Sequence, residues 1–145
     1  MTTSTARQVA AGLAILYAAF VAFAVFWPTG VYASGSVGWF EDELNDMGRG
    51  RWVSSSVLGF LANIVLFVPI SSLGSILLDR WGWRFWLVVG LVTSSAIELS
   101  QLLYLDGRSP TVVDVIANTL GAALGARLAM ALRARLSDAG KSTVI

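Results

Sequence analysis

Residues 93–125 read TSSAIELSQLLYLDGRSPTVVDVIANTLGAALG. Two apolar arms flank a short polar loop, Leu105-Asp106-Gly107-Arg108-Ser109-Pro110. Helices joined by so few residues must run antiparallel as neighbours, so the stretch predicts a helical hairpin. Each arm also carries polar groups: Glu98 and Gln101 on the first, Asp114 and Asn118 on the second. Such groups are costly in an apolar background and need a physical reason to be there.

Outward from the hairpin, the chain is apolar almost throughout. Of 145 residues, 56% are hydrophobic and 13% charged, against roughly 25% charged in soluble domains. Mean hydropathy is +0.71. The expected fold is all-α, an integral membrane bundle of four transmembrane helices forming a single domain over residues 1–145. About 20 apolar residues cross a hydrocarbon core of ~30 Å. The spans expected are 9–27, 54–78, 85–104 and 111–132. An acidic outer loop fills 28–52, and a polar tail, 133–145, is expected to fray. The first span competes with a cleaved signal peptide, for which Val31-Tyr32-Ala33 resembles a cleavage site. Its apolar run is longer than the 7–15 residues of a signal core, which favours a retained anchor. Pro69, mid-way along the second span, removes a backbone donor and should kink the helix, and Ser71 and Ser72 are expected to serve the backbone groups it frees.

Lys and Arg fall mostly on one side. The N-terminus, the 79–84 turn and the C-terminus hold Arg7, Arg80, Arg84, Arg127, Arg133, Arg135 and Lys141. Arg49, Arg51 and Arg108 lie on the other, beside most of the acids. This bias predicts cytoplasmic N- and C-termini and a multi-pass protein of the cell membrane. Trp81 and Trp83, beside arginines, read as interfacial anchors.

The absence of histidine and cysteine removes imidazole-based triads, thiol nucleophiles and the usual zinc sites. A net charge of +1 without a basic stripe argues against nucleic acid. No metal and no cofactor is expected. Any chemistry falls to carboxylates, arginine, hydroxyls and amides. At 1.5 Å per residue, Asn63 lies roughly 10 Å below the outer end of its span. Glu98 and Asn118 each lie about 9 Å below the outer ends of theirs, with Gln101 about 4–5 Å deep and Asp114 just inside. Glu98 and Gln101 (i, i+3) share a face, as do Asp114 and Asn118 (i, i+4). Gly121 and Gly125 continue the latter face with GxxxG spacing, which admits a close neighbouring backbone.

Three motifs carry a family resemblance: Asn63-Ile64-Val65-Leu66-Phe67-Val68-Pro69, Ile97-Glu98-Leu99-Ser100-Gln101, and residues 108–121, RSPTVVDVIANTLG. Together they resemble the VanZ-like family of small bacterial membrane proteins, named for a member linked to teicoplanin resistance. The first span and the acidic loop carry little of the likeness. The resemblance implies no settled reaction, so whether the chain is an enzyme stays open.

Two readings follow. In the first, an outward-opening pocket engages a lipid-linked or cell-envelope substrate. Glu98 and Asp114 are then candidate catalytic carboxylates, and Arg108, Asn63, Gln101 and Asn118 bind substrate, with Arg108 clamping an anionic group. In the second, the same groups form a satisfied network that only holds the helices together. Asp114 then caps the fourth span, and the bundle serves a membrane-protein partner or a homo-oligomer.

Overall fold

The computed structural model describes residues 3–26, 55–104 and 111–142. They form four helices: α1 (Thr3–Phe26), α2 (Ser55–Leu77), α3 (Trp83–Tyr104) and α4 (Val112–Ser142). No strand occurs among the described residues. All four are long and apolar enough to cross a membrane. The acidic loop expected at 28–52 lies outside the described residues, as does the 105–110 turn with Asp106 and Arg108.

Boundaries differ from expectation at the two termini. α1 begins at Thr3, ahead of the expected span 9–27, and α4 runs on to Ser142, through most of the tail expected to fray. Hydropathy marks where lipid ends, not where a helix ends. Ala, Arg and Leu, which dominate residues 126–136, are strong helix formers in water as well. At 31 residues α4 is about 46 Å long, well beyond the ~30 Å of hydrocarbon.

What is buried identifies the solvent. The largest fully buried side chains are Ser71, Ser75 and Ser94, joined by Ala117 and Ala126. Large apolar residues instead point outward on every helix, including Ile15, Val65, Val92 and Leu128. In water this inversion would leave an apolar surface far too large for a monomer. In lipid it is the expected arrangement, because helices there associate through small residues and close packing. The protein is a multi-pass membrane protein.

α4 is the central helix, packed mainly on α2 and next on α3, while α1 packs on α2. α2 and α3 barely touch each other. α2 and α4 run parallel, since Asn63, Ile64, Val68 and Ser75 meet Asp114, Gly121, Gly125 and Arg133 in that order. α3 runs against them, with Gly90 beside Ala122 and Ser94 beside Asn118. The glycine pair makes this possible. A Cβ at Gly121 would overlap the Ile64 carbonyl oxygen and crowd the Phe67 Cβ. One at Gly125 would overlap the Val68 carbonyl oxygen and the Ser71 hydroxyl. The Ser72 hydroxyl, shared between the carbonyls of Val68 and Gly125 at 2.8 and 2.9 Å, adds a polar tie across the same seam.

α2 continues through Pro69. The ring removes the donor that the Val65 carbonyl would otherwise receive. Ser71 and Ser72 do not reach that carbonyl. Their hydroxyls bond those of Phe67 and Val68, one turn back from each serine. The neighbouring Leu66 carbonyl accepts from the Tyr17 hydroxyl of α1 at 2.9 Å. Arg7 donates to the Leu77 carbonyl at the C-terminus of α2, where a cation complements the helix dipole. Tyr17→Phe removes one α1–α2 hydrogen bond without changing shape. It is expected to lower stability by about 0.5–1.5 kcal/mol, read as a small drop in melting temperature in detergent.

Candidate functional site

The site builds from the first turn of α4. Thr111 precedes the helix as its N-cap, with its hydroxyl oxygen accepting from the Asp114 N–H at 3.0 Å. Asp114 is the third helical residue, and its carboxylate accepts the Thr111 hydroxyl proton at 2.7 Å. In the usual capping box that carboxylate would take the N–H of the capping residue. Here the Thr111 N–H donates instead to Glu98 Oε2 of α3, at 3.0 Å. Asp114 thereby reaches across to α2, where its Oδ1 accepts from Asn63 Nδ2 at 2.6 Å. A single hydrogen-bonded chain, Asn63–Asp114–Thr111–Glu98, links three helices.

Both carboxylates stand against the N-terminus of α4. Unsatisfied N–H groups and the positive end of the helix dipole favour negative charge there. The groups are only partly buried, and the Thr111 bonds reach the surface. Among the described residues the cluster is therefore partly exposed at this end of the bundle. It holds two acids, an amide and a hydroxyl, a set able to accept hydrogen bonds from hydroxyls or ammonium groups and to hold a proton. No group of three or more candidate metal ligands occurs among the described residues.

One turn deeper, Asn118 Nδ2 donates to Ser94 Oγ at 2.8 Å. Asn118 is buried, and its Oδ1 has no partner among the described residues. Exchanging the amide ends would move the vacancy to nitrogen without filling it. Gln101 turns away from this network. It is buried against α1, with Nε2 donating to the Val25 carbonyl at 3.0 Å.

The sequence-predicted residues thus divide. Asn63, Glu98 and Asp114 come together in one network. Asn118 sits beneath it, and Gln101 binds α1 on the other flank of α3. Arg108 lies outside the described residues. The expected equal depth of Glu98 and Asn118 is off by about one to two turns. Glu98 is level with Thr111, and Ser94 is level with Asn118. Two bonding partners, Thr111 within the network and Ser94 beneath it, escape the sequence reading. Thr111 was legible in the T-x-x-D pattern ahead of an apolar run. Ser94 was legible only as the residue one turn before Glu98.

A family model described as VanZ/LLP1 matches residues 11–133, most of the chain. The chain belongs to the VanZ/LLP1 family. No curated protein and no solved structure shows significant similarity to it. The VanZ/LLP1 match includes most of α1 and the 28–52 loop, so it reaches well beyond the three motifs that suggest it in the sequence. Every residue of the Asn63–Asp114–Thr111–Glu98 chain falls inside the matched region.

Proposed function

We propose that this VanZ/LLP1 family protein uses the Asn63–Asp114–Thr111–Glu98 cluster as an outward-facing site for a cell-envelope or lipid-linked substrate. Glu98 and Asp114 bind its hydroxyl or cationic groups or exchange a proton with them. Asn63 and Asn118 position the cluster, and Arg108 supplies the anion clamp. The observation that carries this reading is the pair of partly exposed carboxylates held at one helix N-terminus by three different helices. Pure cement needs no such opening. The site faces outward if the termini are cytoplasmic. Support comes from Arg7, Arg80, Arg84 and Arg133, which gather at the opposite end of the bundle, where α1 begins and toward which α4 runs. The protein is then resident in the cell membrane. Glycopeptide resistance is the phenotype to which the family name points.

Glu98→Gln separates charge from geometry, because the amide oxygen still accepts the Thr111 N–H. The variant should fold to wild-type yield, within roughly 1 kcal/mol in stability. It should abolish the phenotype gained on expression, whether teicoplanin tolerance or another envelope change. Arg108→Ala should do the same. Full phenotype from both variants at normal expression would end the proposal.

One observation favours a structural reading. Both Asp114 oxygens already have partners, and Glu98 satisfies a backbone donor that would otherwise be orphaned. On that reading Glu98→Gln retains the phenotype, and Glu98→Ala lowers folded yield.

A further inference from the structure

A second feature lies mid-bundle, from just beneath the Asn118–Ser94 pair toward the opposite end. α2 and α3 leave a cleft between them with a cavity of about 80 Å³. Phe67, Ile70 and Ser71 line one wall, Trp86, Val89, Gly90 and Thr93 the other, and Ala122 of α4 forms the floor. The Ser71 hydroxyl is spent on its own helix, so the lining is apolar. Gly74 gives the Trp86 ring its place, since a Cβ there would overlap the ring. The indole nitrogen of Trp86 is buried and has no hydrogen-bond partner among the described residues. Trp86 as a whole is 9% exposed. A buried donor left unmatched is unfavourable, so an acceptor that reached it would be bound the more tightly.

Height along α3 orders the chemistry. Arg84 is one residue into the helix, Trp86 three residues, or roughly 4–5 Å, and Thr93 about 15 Å. Arg80 stands in the 78–82 turn below, with its guanidinium 5.4 Å from the Trp81 ring centre. Arg84 and Arg127 approach Trp83 at 5.7 and 5.2 Å. Arg80, Arg84 and Arg127 are all exposed. Cations first, then one N–H donor, then an apolar groove is the order of a glycerophospholipid read from phosphate through ester to chain.

We propose that the α2–α3 cleft is a binding site for one anionic glycerophospholipid of the leaflet at this end. An acyl chain lies along Val89, Gly90 and Thr93, and Trp86 Nε1 donates to an ester oxygen. Arg80 and Arg84 attract the phosphate. The occupant is lipid because the cleft opens onto the hydrocarbon in which the helices stand. The anionic preference follows from the excess of arginine at this end, since near-surface cations are drawn to an anionic leaflet. This site is independent of the Glu98 cluster.

Native mass spectrometry of the detergent-purified chain, titrated with phosphatidylglycerol or phosphatidylcholine, tests it. Wild type should retain one phosphatidylglycerol in preference to phosphatidylcholine. Trp86→Phe should weaken retention about two- to tenfold, the range one hydrogen bond supplies. Val89→Phe, which fills the groove, should abolish it, and Val92→Phe on the exposed face should not. Equal retention in the Val89→Phe and Val92→Phe proteins, or no preference between the two lipids, would overturn the proposal. So would displacement of the lipid by inorganic phosphate, which would reduce the site to an anion patch. If Trp86→Phe fails to fold, the Val89→Phe and Val92→Phe comparison still decides.

Discussion

Gly121→Leu should leave almost no folded, monodisperse protein after mild heating in detergent. The atoms in the way are backbone atoms. Position 121 faces the Ile64 carbonyl oxygen and the Phe67 Cβ of α2, and even a methyl group overlaps them. Overpacked cores usually cost 1–3 kcal/mol because side chains can re-rotate. A carbonyl in a helix cannot, so α2 and α4 must separate along their whole seam. Gly121→Ala should cost about 1–3 kcal/mol and Gly121→Leu more. Separation would also part Asn63 from Asp114 and Ser72 from the Gly125 carbonyl. Gly59→Ala is the control. Nothing lies within 4 Å of a Cβ there, so it should be neutral or stabilising by up to ~1 kcal/mol from helix propensity. Fluorescence-detected size exclusion after a temperature ramp reads all three.

Asn63→Asp should be the most damaging conservative change in the polar network. It replaces a donor 2.6 Å from Asp114 with a second carboxylate. Two carboxylates at that distance cannot both stay ionised. The bond lost is one to an acidic partner, worth roughly 1.5–3 kcal/mol, and repulsion adds to it. Loss of about 3 kcal/mol or more is expected, seen as a lowered melting temperature and reduced yield. Combining Asn63→Asp with Asp114→Asn restores a donor and an acceptor with their direction reversed. The double variant should be more stable than Asn63→Asp alone. A simple sum of the two single effects would mean that the residues are not coupled.

The architecture was legible because hydropathy and length suffice for it. Four apolar runs gave four helices, and inner boundaries such as 54–78 and 85–104 fell within two residues of α2 and α3. The spacing of Gly121 and Gly125 announced a backbone-to-backbone seam, and α2 supplies it. The pairing of polar groups was harder to read. Counting 1.5 Å per residue from each helix end assumes that all ends lie in one plane. α3 instead continues outward past the first turn of α4, which puts Glu98 opposite Thr111 and moves Asn118 down to Ser94. An i, i+3 spacing joins two residues on one stripe without naming the neighbour each meets. Glu98 and Gln101 sit about 60° apart, enough for one to face α4 and the other α1. Ser94 gave little signal, because a small hydroxyl in an apolar helix does not name the neighbour it bonds. Trp86 gave no signal, since its role depends on the absence of a side chain at Gly74.

The central claim is that the three-helix cluster at the start of α4 receives a ligand. An electron cryo-microscopy reconstruction of the chain in native lipid, enlarged by a fiducial partner, tests it directly. We expect non-protein density of head-group size within hydrogen-bond distance of Glu98 and Asp114, lost in Glu98→Gln. A cluster closed on itself, with every polar atom bonded within the protein and no density beside it, would contradict the account.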